Sequence, residues 1–511
     1  MSPLAALILF LFVLVFYILP ALGVALLFKK AGEASWKAFI PLYNSVVMLQ
    51  ICERPWYWVL LQLIPFFGLF YTVVIWVEFV KTYNKTRFYQ YALIPLTFGL
   101  YFLYVGLNPK TRFTGPTEMK KYSRSDSWQC IGVGVVIIAF IAGLRSFVFE
   151  NYSLPTASMD KTLMQGDCLF VNRLSYGPRL PITPVSLPYL PGLFPLSFKE
   201  AYSKSVQLAY HRPFSSPVRR GDVIVFNFPL GDTVISLPEY QSMRPYYDVI
   251  RELGRGNSDS GRQIVRDNPD QYPLTIKPID KEENYIKRCV ALAGDTLMIR
   301  NEQVFIDGKA QPFPPESETY FLVHTKGQPL DETIMKETYG IDLNNPDEFR
   351  SLGSPNQYNA LLNWTTRELL LKDGVADSIT PDVDSTVGEV FPYDTLHAWT
   401  RDNYGPVWIP QKGATLTLTP ENYHLYERVI RTYEGNKLEI KEGRIFLNGQ
   451  EAHSYQFKLD YYWLMGDNLH GSQDSRYWGF VPENHIVGKA AFIWWSYDHS
   501  FRWNRFFKKV E

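Results

Sequence analysis

Cysteine is scarce in this chain of 511 residues, which contains only Cys52, Cys130, Cys168 and Cys289. No Cys-x-x-Cys or paired-histidine spacing occurs, so the sequence predicts no metal site and no cofactor. Cys168 and Cys289 both follow residue 150. A disulfide between them is one interpretation, but buried free thiols are the favoured one.

An excess of charge of one sign is also absent. Lys+Arg and Asp+Glu each number 51, so the formal net charge is zero. This balance gives no reason to expect a nucleic-acid partner. The distribution is uneven, because the first 150 residues are far more apolar than the rest.

Long runs with little charge in that first part predict membrane spans, since a transmembrane helix needs about 20 apolar residues. A cleavable signal peptide fits poorly at the N-terminus, because no basic segment precedes the first run and the run is too long. The predicted spans are four: 4–28, 56–80, 89–108 and 130–149.

Basic residues near 29–54 and 109–128 predict the orientation, because Lys and Arg favour cytoplasmic loops. With four spans, everything beyond residue 150 then lies outside the cytoplasm. The predicted domains are 1–128, a membrane region of about three spans and a cytoplasmic loop, 129–150, the last transmembrane helix, and 151–511, an external domain.

The pattern after residue 150 is typical of β-structure. Short runs rich in β-branched and aromatic residues are bounded by Gly, Asp or Asn. Residues 293–311 and 434–452 echo each other, and each predicts a hairpin with an Asp-Gly or Asn-Gly turn. Helices are predicted near 356–372 and 420–433. Long polar or proline-rich segments predict insertions near 178–218, 229–283 and 312–420.

Two residues are candidates for nucleophilic chemistry. Ser158 lies in a small-residue turn nine residues beyond the last predicted span, and Lys287 lies in a predicted apolar strand. Burial would favour the neutral amine, which can take a proton from a serine hydroxyl. Each residue alone is a weak signal, because turn serines and strand lysines are common. The eight histidines form no evident triad, although a spatial one stays open.

Four blocks in order change this interpretation: "LPTASM" at 154–159, "RRGDVIVFNFP" at 219–229, "YIKRCVALAGD" at 285–295 and "MGDNLHGSQDSRYWGFVPENHIVGKA" at 465–490. Together they resemble the sequence boxes of bacterial type I signal peptidases, or leader peptidases, which are membrane-anchored serine proteases with a Ser-Lys dyad. The resemblance implies an external catalytic domain, and together with the patterns above it predicts a multi-span α-helical membrane anchor followed by a mainly antiparallel β external catalytic domain with large insertions. The insertions and the multi-span N-terminus are larger than in the simplest members of the family.

The resemblance also implies roles for individual residues. Ser158 matches the nucleophile, Lys287 the general base, and Thr156 the hydroxyl that completes an oxyanion hole with the Ser158 backbone N–H. Ser472 matches a serine that orients the lysine. Two further sets match as well: the supporting ion pair of Asp474 and Arg476, and the substrate pocket of Leu154, Pro155, Met159, Leu163, Tyr285 and Ile286.

The sequence departs from the family pattern at several positions. Ala157 replaces the usual glycine, Asp160-Lys161 replaces a pair that usually ends in proline, and Leu469-His470-Gly471 stands where Arg-Asp-Asn is usual. These departures affect turn details and leave the dyad intact.

The resemblance predicts a signal peptidase in the bacterial inner membrane, multi-pass, with its catalytic domain on the periplasmic side. Its expected partners are preprotein signal peptides, the lipid bilayer and the secretion machinery, without nucleic acid. Two alternatives are a catalytically inactive membrane scaffold that binds a partner through its insertions, and a Ser-Lys protease with a non-secretory substrate.

Overall fold

The structure is a computed structural model. It describes residues 7, 10–64, 67–85, 87–116, 123–186, 200–231, 233–237, 240, 242, 244–256, 258–327, 330–354 and 356–510. Parts of the first predicted span and of the proline-rich insertion (187–199) lie outside these residues. The chain divides into two compact units, residues 1–146 and 147–511.

Helices are the only regular secondary structure in the described part of the N-terminal unit. One helix, Phe10–Lys30, is long and apolar enough to cross a bilayer, and the apolar part of another, Gly132–Phe147, is shorter. The predicted spans 56–80 and 89–108 are each divided between two shorter helices. The unit contains a π-helical turn at Leu14–Ile18, a 3₁₀ turn at Ser35–Phe39, and the α-helices Leu19–Lys30, Tyr43–Ile51, Trp58–Leu61, Phe67–Lys81, Phe88–Leu96, Tyr101–Leu107 and Ser123–Phe147.

The break in the third predicted span has a local cause. Pro95 lies in the last turn of Phe88–Leu96, and Gly99 then adopts φ +85°, a left-handed conformation that ends a helix. One candidate crossing helix among the described residues supports membrane attachment. The four-span count therefore stays a prediction.

The second unit is mainly β, and every paired strand in its described part is antiparallel. Its strands are β1 Phe149–Ser153, β2 Asp167–Asn172, β3 Val223–Asn227, β4 Thr233–Ile235, β5 Leu274–Ile276, β6 Asn284–Ala291, β7 Thr296–Arg300, β8 Gln303–Ile306, β9 Lys309–Ala310, β10 Glu318–Thr325, β11 Phe349–Ser351, β12 Gln357–Asn363, β13 Ala376–Pro381, β14 Tyr404–Trp408, β15 Thr415–Thr417, β16 Leu438–Lys441, β17 Arg444–Leu447, β18 Gln450–Glu451, β19 Ser454–Gln456, β20 Tyr461–Met465, β21 Val481–Pro482, β22 Ile486–Asp498 and β23 Ser500–Phe501.

The central sheet has the order β1-β2-β22-β3-β6-β20-β21, with β23 paired to β22. Strand β3, "VIVFN", is buried along its whole length. Successive side chains point to opposite faces, so Ile224 and Phe226 pack into one apolar cluster and Val223 and Val225 into another. Strand β3 is therefore held between two apolar clusters, one on each face of the sheet. The neighbouring strand β6 pairs with it and so lies in the middle of the domain.

The predicted insertions contain structure of their own. Within 229–283, the pair β4–β5 lies with two helices, Tyr246–Leu253 and Ser258–Asp267, around a small apolar core. Within 312–420, the sheet β11-β12-β10-β13 packs with helices Glu332–Tyr339 and Trp364–Lys372 around another core. Strand β14 differs, because it pairs with β7 and belongs to the largest core cluster of the unit.

The internal echo corresponds to two three-stranded meanders, β7-β8-β9 and β16-β17-β18. The predicted Asp-Gly and Asn-Gly turns join their second and third strands, and all four turn residues have positive φ (50°, 76°, 52° and 88°). Such φ values match the tight turns that these dipeptides favour. The unit also contains the α-helices Tyr423–Arg428 and Ser475–Trp478, a π-helical turn at Val429–Tyr433, and 3₁₀ turns at Leu174–Tyr176, Ile279–Lys281, Glu483–His485 and Trp503–Arg505.

Candidate active site

Ser158 and Lys287 meet although 129 positions separate them in the chain. Lys287 lies in β6, where it pairs with Ile224 of β3, and Ser158 opens a turn that follows β1. The Lys287 Nζ atom lies 2.5 Å from the Ser158 Oγ atom. This distance is within the hydrogen-bond reach that a base needs to take the serine proton.

Burial sets the protonation of Lys287. The residue is only 2% exposed. Burial lowers the pKa of the Lys287 ammonium to about 8, Arg476 acts in the same direction, and Asp474 and Asp467 oppose it. A large fraction of the amine is therefore neutral slightly above neutral pH, as a general base requires.

Asp474 and Arg476 form a buried ion pair. The Arg476 Nε and Nη2 atoms donate to the two carboxylate oxygens of Asp474 at 2.9 and 2.8 Å. Burial alone would raise the pKa of Asp474, but Arg476 and Lys287 outweigh it and the pKa is lowered. Asp474 also accepts from the backbone N–H of Gly466, and Arg476 donates to the Leu469 carbonyl. The pair therefore closes the segment 466–476, which we call the catalytic loop.

The catalytic loop contacts the Ser158 turn directly. The Asn468 N–H donates to the Ser158 carbonyl oxygen at 3.2 Å. At Gly466, a Cβ atom would lie 2.3 Å from the Ser472 Oγ atom and 2.5 Å from the Ser158 carbonyl oxygen. Only glycine allows this close approach of the loop to the Ser158 turn.

A second buried pair was missed by the sequence analysis. Arg288, the residue after Lys287, donates from Nε and Nη2 to Asp467 at 2.7 and 2.6 Å. Asp467 also accepts from the Thr162 hydroxyl at 2.6 Å, so it joins β6, the loop and the segment after Ser158. The only indication in the sequence that Arg288 belongs to the site was its position next to Lys287. A single sequence does not show which acid Arg288 pairs with.

Thr156 and Ser472 differ in their surroundings. Thr156 lies in the exposed segment just before Ser158, and its oxyanion-hole role stays a prediction. Ser472 is buried at 3% exposure, and its hydroxyl donates to the Gln473 carbonyl at 3.4 Å. No hydrogen bond joins Ser472 to Lys287 within the described part of the chain, so its orienting role stays a prediction.

The predicted pocket residues separate into groups. Leu154, Met159, Leu163 and Ile286 belong to one apolar cluster. Tyr285 instead packs against Phe228 and Trp478 at ring distances of 4.6 and 5.8 Å, next to a neighbouring cluster. Pro155 is exposed in the segment before the nucleophile.

A buried polar cluster lies beside the catalytic loop. The His470 Nε2 atom is 3.0 Å from Glu302 and 3.0 Å from Asp402. Burial alone would lower the pKa of His470, but hydrogen bonds to Asp402 and Glu302 outweigh it and the pKa is raised. The ligand-type atoms of the three residues lie within 4.8 Å of one another, yet each carboxylate already accepts from a protein donor: the Thr319 hydroxyl for Glu302 and the Asp384 N–H for Asp402. We therefore describe it as a hydrogen-bonded cluster.

Cys168 and Cys289 are both buried free thiols. Burial raises the pKa of both, so neither thiol is activated as a nucleophile. The favoured interpretation of these two residues agrees with the structure.

Comparison with known proteins identifies the family. The model of the family described as signal peptidase, peptidase S26, matches residues 127–346 and 424–495, more than half of the chain. The chain belongs to the signal peptidase family. A family described only as of unknown function matches residues 36–116 in the N-terminal unit.

Signal peptidase I enzymes of known bacteria are among its relatives. The enzyme of Haemophilus influenzae is 25% identical over 387 residues, which cover 73% of each chain. That of Helicobacter pylori strain J99 is 22% identical over 410 residues, which cover 76% of this chain and 93% of the relative. The segment 347–423, which the family match omits, contains most of the helix-bearing third insertion.

Proposed function

We propose that Ser158 is the nucleophile and Lys287 the general base with which this signal peptidase removes signal peptides from preproteins. The observation that carries the proposal is the 2.5 Å separation of the Lys287 Nζ and Ser158 Oγ atoms at a site where the lysine is almost fully buried. A buried lysine whose pKa is lowered to about 8 is suited to accept a proton and unsuited to hold a carboxylate or phosphate.

The reaction proceeds by acyl transfer. The neutral amine of Lys287 takes the hydroxyl proton as Ser158 attacks the scissile carbonyl, and the ammonium then protonates the leaving amine of the mature protein. The Ser158 N–H and the Thr156 hydroxyl donate to the oxyanion. Water, deprotonated by Lys287, then attacks the acyl-enzyme and releases the signal peptide.

The surroundings of Ser158 support a substrate with small side chains at the cleavage site. Pro155, Thr156 and Ala157 are exposed, and Leu154 and Ile286 retain only 7% exposure each. We infer from this exposure pattern that the apolar residues Leu154, Pro155 and Ile286 form shallow pockets for small side chains. Signal peptides end in such a small-x-small motif.

A cleavage assay tests the dyad. Full-length protein in detergent is incubated with a model preprotein, and the processed product is quantified for wild type and Ser158→Ala. Ser153→Ala, an exposed serine in β1, is the matched control. We expect loss of cleavage in the first variant only; normal cleavage by Ser158→Ala would refute the assignment of the nucleophile.

An exposed aromatic patch supports contact of the second unit with the bilayer. Trp495, Tyr497, Phe501 and Trp503 are 39–66% exposed at the end of β22, in β23 and just beyond. The Tyr497 N–H donates to the carbonyl of Gly166, which joins the patch to the segment after Ser158. Aromatic side chains favour the membrane–water interface, so this patch would hold the site near the outer end of a signal helix.

Two measurements test location. Brominated lipids in proteoliposomes should quench the total tryptophan fluorescence less in Trp503→Phe than in the wild type, which would support the bilayer contact. External protease should digest residues beyond 150 in intact spheroplasts, as expected for a four-span inner-membrane protein with a periplasmic catalytic domain. Protection of that region until lysis would contradict the topology. Contact with the secretion machinery stays a prediction, which crosslinking in membranes would test.

The inactive-scaffold alternative is disfavoured by the close approach of Ser158 and Lys287, because a scaffold has no need for a buried lysine. A protease for non-secretory substrates is disfavoured by the signal peptidase match over most of the catalytic blocks.

A further inference from the structure

The cluster of Glu302, Asp402 and His470 joins three distant parts of the chain. Glu302 lies in the β7–β8 turn, Asp402 just before β14, and His470 in the catalytic loop. All three side chains are at most 2% exposed. The charged and titratable groups near His470 are Glu302, Asp402, Asp384, Arg401, Arg476 and Tyr320.

The hydrogen bonds within the cluster fix the proton of the histidine. Carboxylate oxygens only accept, so the His470 Nε2 atom carries the hydrogen that Asp402 accepts, and the Glu302 carboxylate lies 3.0 Å from the same atom. Removing this donor would leave two buried carboxylates facing each other, which is unfavourable. The histidine is therefore the group that allows the other two to be buried together.

The backbone at Glu302 indicates that the acid is needed there. Glu302 has φ 67°, in the left-handed region that side chains adopt at a cost. Its counterpart in the internal echo is Gly443, with φ 75°, the residue such turns favour. The turn of the β7-β8-β9 meander reaches the catalytic loop, and in that turn a glutamate takes the place of the favoured glycine.

The strand β10 strengthens the same junction. The Glu318 N–H donates to the Asp467 carbonyl and the Leu469 N–H to the Glu318 carbonyl, both at 2.8 Å. The next residue, Thr319, donates to Glu302 at 2.7 Å. The inserted segment is therefore bonded to the loop on both sides of Asn468, whose N–H holds the Ser158 carbonyl.

We propose that His470 is a positioning residue, which anchors the catalytic loop to Glu302 and Asp402 and thereby fixes the turn of Ser158 against Lys287. The inference rests on the proposed function of Ser158 and Lys287. It assigns a role to the third insertion and its neighbouring meander: they form the support on which the loop is held.

Kinetics of full-length variants test this role. We expect His470→Gln and Glu302→Gln each to lower kcat about tenfold. The free energy of a buried hydrogen bond to a charged group corresponds to a change of about tenfold or more in a rate constant. KM should change less than about twofold. The matched controls are His499→Gln, whose side chain is fully exposed, and Glu442→Gln, which lies in the turn of the echo meander.

The double variant His470→Gln/Glu302→Gln gives the decisive comparison. If the two residues act as one unit, it should lose no more activity than the worse single variant. Assays are run well below the melting temperature of each variant, so that unfolding does not mimic a loss of kcat.

Three results would overturn the proposal: wild-type kcat in both single variants, multiplied losses in the double variant, or a loss expressed only in KM. Stoichiometric metal in the purified wild type that is absent from His470→Gln would also overturn it, in favour of a metal site. Activity in Ser158→Ala refutes the proposed function instead, so the two failures are distinguishable.

Discussion

Replacing Lys287 by arginine keeps the positive charge but removes the base. With a pKa of about 8, roughly a tenth of Lys287 is neutral at pH 7, whereas an ordinary lysine with a pKa of 10.5 would be neutral in about three molecules in ten thousand. Burial therefore raises the population of free amine about 300-fold. A guanidinium does not release its proton in this pH range, so Lys287→Arg should lose about 10²–10⁴-fold in rate.

The assay is preprotein cleavage between pH 6 and 10 for wild type, Lys287→Arg and Lys287→Met. The wild-type rate should rise with pH through about 8 and then level off, because the free amine is the active form. Both variants should be nearly inactive at every pH. The reasoning is refuted if Lys287→Arg retains more than about a tenth of the activity, or if the wild-type rate does not depend on pH below 8.

Three further predictions concern stability and loop geometry. Lys287→Met should stabilise the protein by up to about 3 kcal/mol below pH 8, where folding must bury the ammonium. The folded state binds this proton more weakly than the unfolded state, so the stability of the wild type rises between about pH 8 and 10.5. In urea titrations, the difference in unfolding free energy between Lys287→Met and the wild type should therefore vanish above that range. Asp474→Asn should lower the unfolding free energy by about 3–5 kcal/mol in the same titrations, because it leaves the buried Arg476 without its acid. The control Asp377→Asn, in an exposed ion pair, should lower it by less than about 1 kcal/mol. Similar losses in the two variants would contradict the burial argument. Gly466→Ala should abolish most cleavage, because the added Cβ atom would clash with the Ser158 turn. Gly143→Ala is the control, because its Cβ atom would have no neighbour within 4 Å. Full activity of Gly466→Ala would show that the loop can shift.

The sequence was informative wherever local pattern and chemistry agree. The antiparallel β domain was predicted correctly from short β-branched runs, and the two echo segments do contain the predicted turns. The match of four blocks also predicted the pairing of positions 158 and 287, because a family motif includes tertiary information that a single strand pattern lacks.

The sequence was less informative where packing overrides local preference. The prediction of helix over 356–372 is wrong for its first half, because 357–363 forms β12. Ala360 and Leu362 are buried in alternation there, and the helix begins only at Trp364, after the Asn363 cap. Periodicity over so short an apolar run does not separate the two structures.

Two of the buried polar contacts could not be predicted at all. Nothing local indicates that Glu302 meets His470 or that Arg288 meets Asp467, since each pair is separated by more than 150 positions. Such contacts depend on the topology of the whole domain. A single sequence does not contain that information.

The place of β22 in the central sheet bears on when activity can first appear during synthesis. This strand, Ile486–Asp498, lies between β2 and β3. The Ser158 turn is attached to the β1–β2 side and Lys287 to the β3–β6 side. A nascent chain that ends before residue 486 therefore lacks the strand that joins the two halves of the dyad. We therefore expect no cleavage until β22 has folded into the sheet between β2 and β3.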